Sequence, residues 1–318
     1  MSLGKKCLFV LGISLAKLGA LCLINKSINY LAMLHGNNDH PKNHFFQWRF
    51  GDIFYTKKGT GSPVLLIHDL NVTSSSFEWN KTIEQLSKTN TVYAIDLLGC
   101  GLSAKPNLTY TNFLYVQLIN DFIHAIIKES TDIIATGASA SMCLSSKSYE
   151  NSLVNRIILI NPPDLLKSSK MPSKKFKNIR YILSTPIIGT FIYNLFTNKP
   201  AIRHSFSNYY FANRYNTSSN DVNKYFRNAQ EDNAQGKFLL GSILCNYTNI
   251  NPSYFLKNIS DSIYIIVGDD LLKYELIAEQ YKELLPSIEI EKISETSYLP
   301  QLEKPNQFIE QISILLDL

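Results

Sequence analysis

The sequence has few of the residues that build stapled or metal-held folds. Its five cysteines, at 7, 22, 100, 143 and 245, include no C-x-x-C pair. That excludes a disulfide scaffold and a Cys-rich zinc site. Charge is also sparse. Asp, Glu, Lys and Arg make up 18% of 318 residues, and hydrophobic residues 45%, a balance that excludes wholesale disorder. The formal net charge of +5 is mild, and there is no nucleic-acid motif, so no nucleic-acid partner is expected. Tandem repeats and low-complexity tracts are absent, and nothing points to a cofactor or a metal. The length suits one large domain, or a domain with an insert.

One long apolar run stands out. Between Cys7 and Ile24 every residue except Ser14 and Lys17 is apolar or glycine. As a helix it would span roughly 27 Å, about a bilayer core. Lys5 and Lys6 precede it and Lys26 follows, a bias that would leave the N-terminus in the cytoplasm and the rest outside. The expectation is a single N-terminal anchor over residues 1–25, a polar stalk over 26–43, and a membrane-associated, extracytoplasmic domain. A cleaved signal peptide and a soluble helix packed on the domain are the alternatives.

From residue 44 the chain alternates strand and helix. Strands are predicted at 44–50, 52–56, 64–67, 91–97, 131–135, 156–160, 263–267 and 288–293. Helical spacing falls at 77–86, 113–127, 272–285 and 305–316. Short buried strands alternating with helices imply an α/β fold with a mostly parallel sheet covered on both faces. Residues 164–255 have helical patterning and no obvious strand, which predicts an inserted helical cap. The core is then 44–163 and 256–318.

Four segments carry chemistry. Thr136-Gly137-Ala138-Ser139-Ala140-Ser141 follows a buried strand. Val64-Leu65-Leu66-Ile67-His68-Asp69-Leu70 is a strand ending in a histidine. Asp96-Leu97-Leu98-Gly99-Cys100-Gly101-Leu102-Ser103 leads to Pro106. Tyr298-Leu299-Pro300-Gln301-Leu302-Glu303-Lys304-Pro305 opens the last helix. Taken in chain order the four resemble the α/β-hydrolase family over nearly all of residues 45–318. The segment at 136–141 resembles its nucleophile elbow, G-x-S-x-G, with Ser141 where a second glycine is usual.

The resemblance implies a serine-type hydrolase of an ester or other acyl substrate. Ser139 would be the nucleophile, and the backbone N–H groups of Leu70 and Ala140 the oxyanion hole. Asp96 and His68 would be structural. The family's histidine, however, falls on Tyr298 and its preceding glycine on Ser297. A phenol titrates near pH 10 and is a poor base at neutrality. Asp69 replaces a glycine beside the oxyanion hole, where a carboxylate would oppose a developing negative charge. The acid position is irregular: Asp270 is the first candidate, with Asp269 and Asp164 as others. His204, in the cap, is a conceivable substitute base, and His124 a weaker one. The expected activity is therefore impaired or absent. The alternative is a membrane-associated pseudoenzyme that binds an amphiphilic ligand or a protein partner. Residues 165–215 hold nine Lys and Arg and no Asp or Glu. Such a basic, apolar cap suits an anionic amphiphile or an anionic membrane, or is simply a solvated cover for the core.

Overall fold

The computed structural model describes residues 3–34, 44–173, 176–259 and 263–317, with the side chains of the first helix described from Ser14 onward. Eight strands form one sheet: β1 (His44–Trp48), β2 (Gly51–Lys58), β3 (Ser62–Ile67), β4 (Asn90–Ile95), β5 (Thr131–Thr136), β6 (Val154–Ile160), β7 (Ile263–Gly268) and β8 (Glu289–Ile293). Their order is β1-β2-β4-β3-β5-β6-β7-β8. The pairs β1–β2 and β2–β4 are antiparallel, and every pair from β4 through β8 is parallel. Each of the eight predicted strands is present.

The central strands are apolar on both faces because both faces are covered. Alternate residues feed two cores. Leu65, Ile67, Ile133, Ala135, Ile157 and Leu159 pack on one side. Val64, Leu66, Ile134, Ile158 and Ile160 pack on the other, against Trp79, Phe308 and Ile312. In such a sheet the ligand-facing loops lie beyond the carboxyl ends of the parallel strands, where β3, β5 and β6 lead into residues 68–70, 137–139 and 161–164.

The insert contains the helices Lys177–Ser184, Ile188–Phe196, Lys199–Ser205, Ser219–Ala234 and Lys237–Leu244, and no strand among the described residues. The helix expected at 77–86 is divided into a 3-10 turn, Ser76–Trp79, and a short helix, Ile83–Leu86.

The N-terminal region departs from expectation. One helix runs unbroken from Leu3 to Leu34, so no boundary falls between residues 25 and 26; the rest of the expected stalk, 35–43, lies outside the described residues. Polar residues at the junction of the expected anchor and stalk dock on the cap. Asn25 Nδ2 donates to the Ile187 carbonyl at 3.0 Å, and Asn194 Nδ2 donates to Asn25 Oδ1 at 3.0 Å. Asn29 Nδ2 donates to the Gln230 carbonyl at 2.6 Å. Ala32 is buried in a cluster with Ile202, Phe206 and Val222. Among the described residues no helix is long and apolar enough to cross a membrane, so the expected spanning anchor is not met there.

Candidate active site and its occupied anion hole

Strand β5 ends at Thr136, and the following helix begins at Ser139. Between them the chain turns at Gly137, with φ of +57°, while Ala138 is already helical at φ −62° and ψ −26°. A nucleophile elbow presents its serine on the strained residue at the tip of the strand-to-helix turn. Here that residue is Gly137, which has no side chain. Ser139 lies two residues later, fully buried, with its Oγ donating to the His68 carbonyl at 2.6 Å. The hydroxyl of Ser139, the expected nucleophile, thus ties the first helical turn to the end of β3. A Cβ added at Gly137 would fall on the Tyr298 hydroxyl and the Asp69 carboxylate. Those two groups fill the space where a nucleophile's side chain would start.

The Asp69 carboxylate occupies the neighbouring anion site. Its Oδ1 accepts the Ala138 N–H at 2.9 Å, and the Leu70 N–H and the Tyr298 hydroxyl also hydrogen-bond to the carboxylate. The Leu70 amide, one of the two expected at an oxyanion hole, here bonds the Asp69 side chain. The second amide is Ala138, not Ala140, whose N–H closes the turn onto the Gly137 carbonyl at 3.1 Å. The Ala138 and Leu70 amides thus hold the protein's own carboxylate.

Behind Asp69 lies a residue that the sequence reading missed. Glu78 Oε2 accepts the Asp69 N–H at 3.1 Å, and Glu78 Oε1 accepts the Tyr225 hydroxyl at 3.3 Å. Burial, and then the charge of Asp69, push the Glu78 carboxyl up to about 8. Burial raises Asp69 as well, opposed first by its hydrogen bond from Ala138 and then by those from Tyr298 and Leu70. The available signal was an acid set between Phe77 and Trp79 on a segment with apolar spacing.

Tyr298 is held rigidly. Its ring lies 5.9 Å from those of Tyr210 and Tyr274, at 23° and 35°, and Asn161 Nδ2 donates to its carbonyl at 3.0 Å. Burial, then the Asp69 charge, push its phenol up, away from the phenolate a base would need.

The other candidates make no hydrogen bond to the Asp69 carboxylate, although Asp164 lines the same cavity. The Asp270 N–H donates to the Thr296 carbonyl at 3.0 Å, and Asp270 is not among the described residues lining the cavity. Asp269 Oδ1 accepts the Glu295 N–H at 2.6 Å. Asp164 caps the short helix Leu165–Ser168, accepting the Lys167 N–H at 2.7 Å. His68 is structural: its Nε2 accepts the Leu97 N–H at 3.0 Å, which leaves the proton on Nδ1 to donate to the Asp69 carbonyl at 2.7 Å. Asp96 accepts the N–H groups of Ser76 and Leu102, both at 2.7 Å, which secures the loop after β4. His124 pairs with Glu150 at 2.7 Å on the surface, and His204 packs on Tyr209 in the cap.

A cavity of about 470 Å³ lies between these strand ends and the cap. Asp69, Ala138, Tyr298, Tyr210, Tyr274, Ile243 and Ile277 line it, with Lys167 and Lys273 among its cations. Lys273 Nζ lies 4.7 Å from the Tyr274 ring centre and 5.9 Å from that of Tyr209. Among the described residues no cluster of His, Cys, Asp and Glu is suited to hold a metal ion.

Comparison with known proteins fits this architecture. No family profile matches the chain. A 2-hydroxy-6-oxo-6-(2'-aminophenyl)hexa-2,4-dienoic acid hydrolase of Metapseudomonas resinovorans is 30% identical over 114 residues, which are 35% of this chain and 39% of that enzyme. The chain therefore spans about two-fifths of the length of that relative. Among solved structures, the epoxide hydrolase CorEH superposes with a TM-score of 0.69 at 17% identity, over 86% of this chain and 97% of that one. The naproxen esterase of Bacillus subtilis superposes with a TM-score of 0.64 at 16% identity, over 92% and 98%. The three names denote different reactions, so the likeness does not choose a substrate. Sheet order, helical insert and these superpositions agree that the chain has the capped α/β-hydrolase fold.

Proposed function

We propose that the chain is a non-catalytic protein of this fold whose cavity binds a small amphiphile. The single observation that carries the reading is the Asp69 carboxylate seated on the Ala138 and Leu70 amides, at a turn whose tip is Gly137. Acyl transfer by a serine hydrolase needs a nucleophile at the tip, a base beside it and donors free to receive the oxyanion. Gly137 offers no nucleophile, Tyr298 is a neutral phenol, and the donors are taken. Loss of a triad base alone costs on the order of a million-fold in turnover.

The lining supports the choice of ligand. Tyr210, Tyr274 and Tyr298 with Ile243 and Ile277 suit an apolar or aromatic body, and Lys167 and Lys273 suit an anionic head. Laurate serves as a probe for titration calorimetry and thermal unfolding of the full chain. The expectation is saturable binding with a rise in Tm, weakened by Lys273→Glu. Turnover of p-nitrophenyl laurate should stay at the uncatalysed rate. Turnover that Ser139→Ala abolishes would overturn the non-catalytic reading, and an absence of any saturable binding would overturn the ligand.

A further inference from the structure

Charge is distributed very unevenly along this chain. Residues 1–38 and 165–215 together contain 13 of its 31 Lys and Arg and none of its 26 Asp and Glu. The remainder has 18 basic and 26 acidic residues. The mild net charge therefore conceals a strongly basic part joined to an acidic one.

The fold brings the two acid-free segments together. Asn25, on the N-terminal helix, accepts from Asn194 and donates to the Ile187 carbonyl. Exposed apolar residues stand within two positions of each bonded residue: Leu23 and Ile24, Leu195 and Phe196, and Ile188. The adjoining cap helix Lys177–Ser184 adds Ile179, Tyr181 and Ile182, with Tyr181 77% exposed. Isolated surface hydrophobics need no explanation, but a contiguous set marks an interaction surface. Apolar residues interleaved with Lys177, Lys199 and Arg203, and with no carboxylate, are the composition of a face that lies in a lipid interface.

We infer that the joined surface of the N-terminal helix and the cap helices 177–184 and 188–196 lies on an anionic membrane, its apolar side chains in the headgroup boundary and its cations against acidic lipid. The membrane is favoured over a protein partner because acidic lipid answers both features of the face, its cations and its unbroken lack of acids. This docking does not depend on whether the cavity binds a ligand, and its test does not read the cavity.

The test is flotation of the full chain with phosphatidylcholine vesicles, with and without phosphatidylserine. The wild-type chain should float with the phosphatidylserine vesicles at least tenfold more than with neutral ones, and raised salt should reduce that difference. The exposed triple variant Tyr181→Ser, Ile182→Ser, Leu195→Ser should lose at least tenfold in partition. Lys177→Glu with Arg203→Glu, both at exposed positions, should lose the preference for phosphatidylserine. Equal flotation of wild type and both variants would overturn the inference, because the membrane would then be held elsewhere. So would failure of the wild-type chain to float, or a concentration-dependent dimer that the triple variant abolishes without any vesicle binding.

Discussion

At Gly137 the chain turns with φ of +57° between a buried strand and a helix, and the Tyr298 hydroxyl and Asp69 carboxylate close over it. A side chain here meets both a backbone penalty and occupied space. Gly137→Ser should therefore cost about 2–4 kcal/mol of stability, read from urea unfolding. Adding Asp69→Gly and Tyr298→His removes the two obstructing groups, and the triple variant should recover part of that loss. Glu78 makes a separate prediction at the same scale. Its carboxyl is raised from 4.5 to about 8, so the folded state binds a proton that the unfolded chain has released. That stabilisation is complete below about pH 4.5 and is lost as pH rises through 8. Thermal stability should fall across this window by an amount on the order of a few kcal/mol, and Glu78→Gln should flatten the fall. A slope unchanged in Glu78→Gln would place the responsible group elsewhere. Sequence placed Leu70 and Tyr298 near one another, because each sits at a fixed distance from a strand end or a Pro-rich motif. It did not place the left-handed turn at Gly137. Ala135-Thr136-Gly137 and Gly137-Ala138-Ser139 are both runs of small residues, and local sequence does not decide which one takes the left-handed turn. The packing of Asp69 and Tyr298 over Gly137 shows the outcome, and those residues are remote in sequence.

Among the elements, the strands were legible for a simple physical reason. Runs such as Val64–Ile67 and Ile157–Ile160 are apolar on both faces and bracketed by turn residues, and only a covered parallel sheet accommodates them. The N-terminal helix was less legible. Asn25, Lys26, Ser27 and Asn29 interrupt an apolar run and read as a solvated stalk, whereas Asn25 and Asn29 are the groups that dock it. Their partners, Ile187, Asn194 and Gln230, are more than 150 residues away. Asn29→Ala should cost about 1 kcal/mol, a Tm decrease of roughly 2–4 °C in a chain of this size. Asn25 and Asn194 bond to each other, so their alanine variants should be less than additive. An Asn29→Ala protein that melts with the wild type would mean that the helix is not clamped to the cap in solution.

For the molecule as a whole, the sheet and cap form the α/β-hydrolase frame, and at its strand ends Asp69 and Tyr298 pack over Gly137. On the proposed non-catalytic reading, three connected features oppose serine chemistry: Gly137 has no side chain, Tyr298 is a neutral phenol, and the Asp69 carboxylate that it bonds sits on the Ala138 and Leu70 amides. The most direct test is labelling by a fluorophosphonate probe, which reports an activated serine whatever the substrate. The account predicts no labelling of the wild-type chain above that of its heat-denatured form, and none that Ser139→Ala alters. It also predicts that labelling appears first when Gly137→Ser is combined with Tyr298→His and Asp69→Gly. Rapid labelling of the unmodified chain, mapped by mass spectrometry to Ser139, would contradict it.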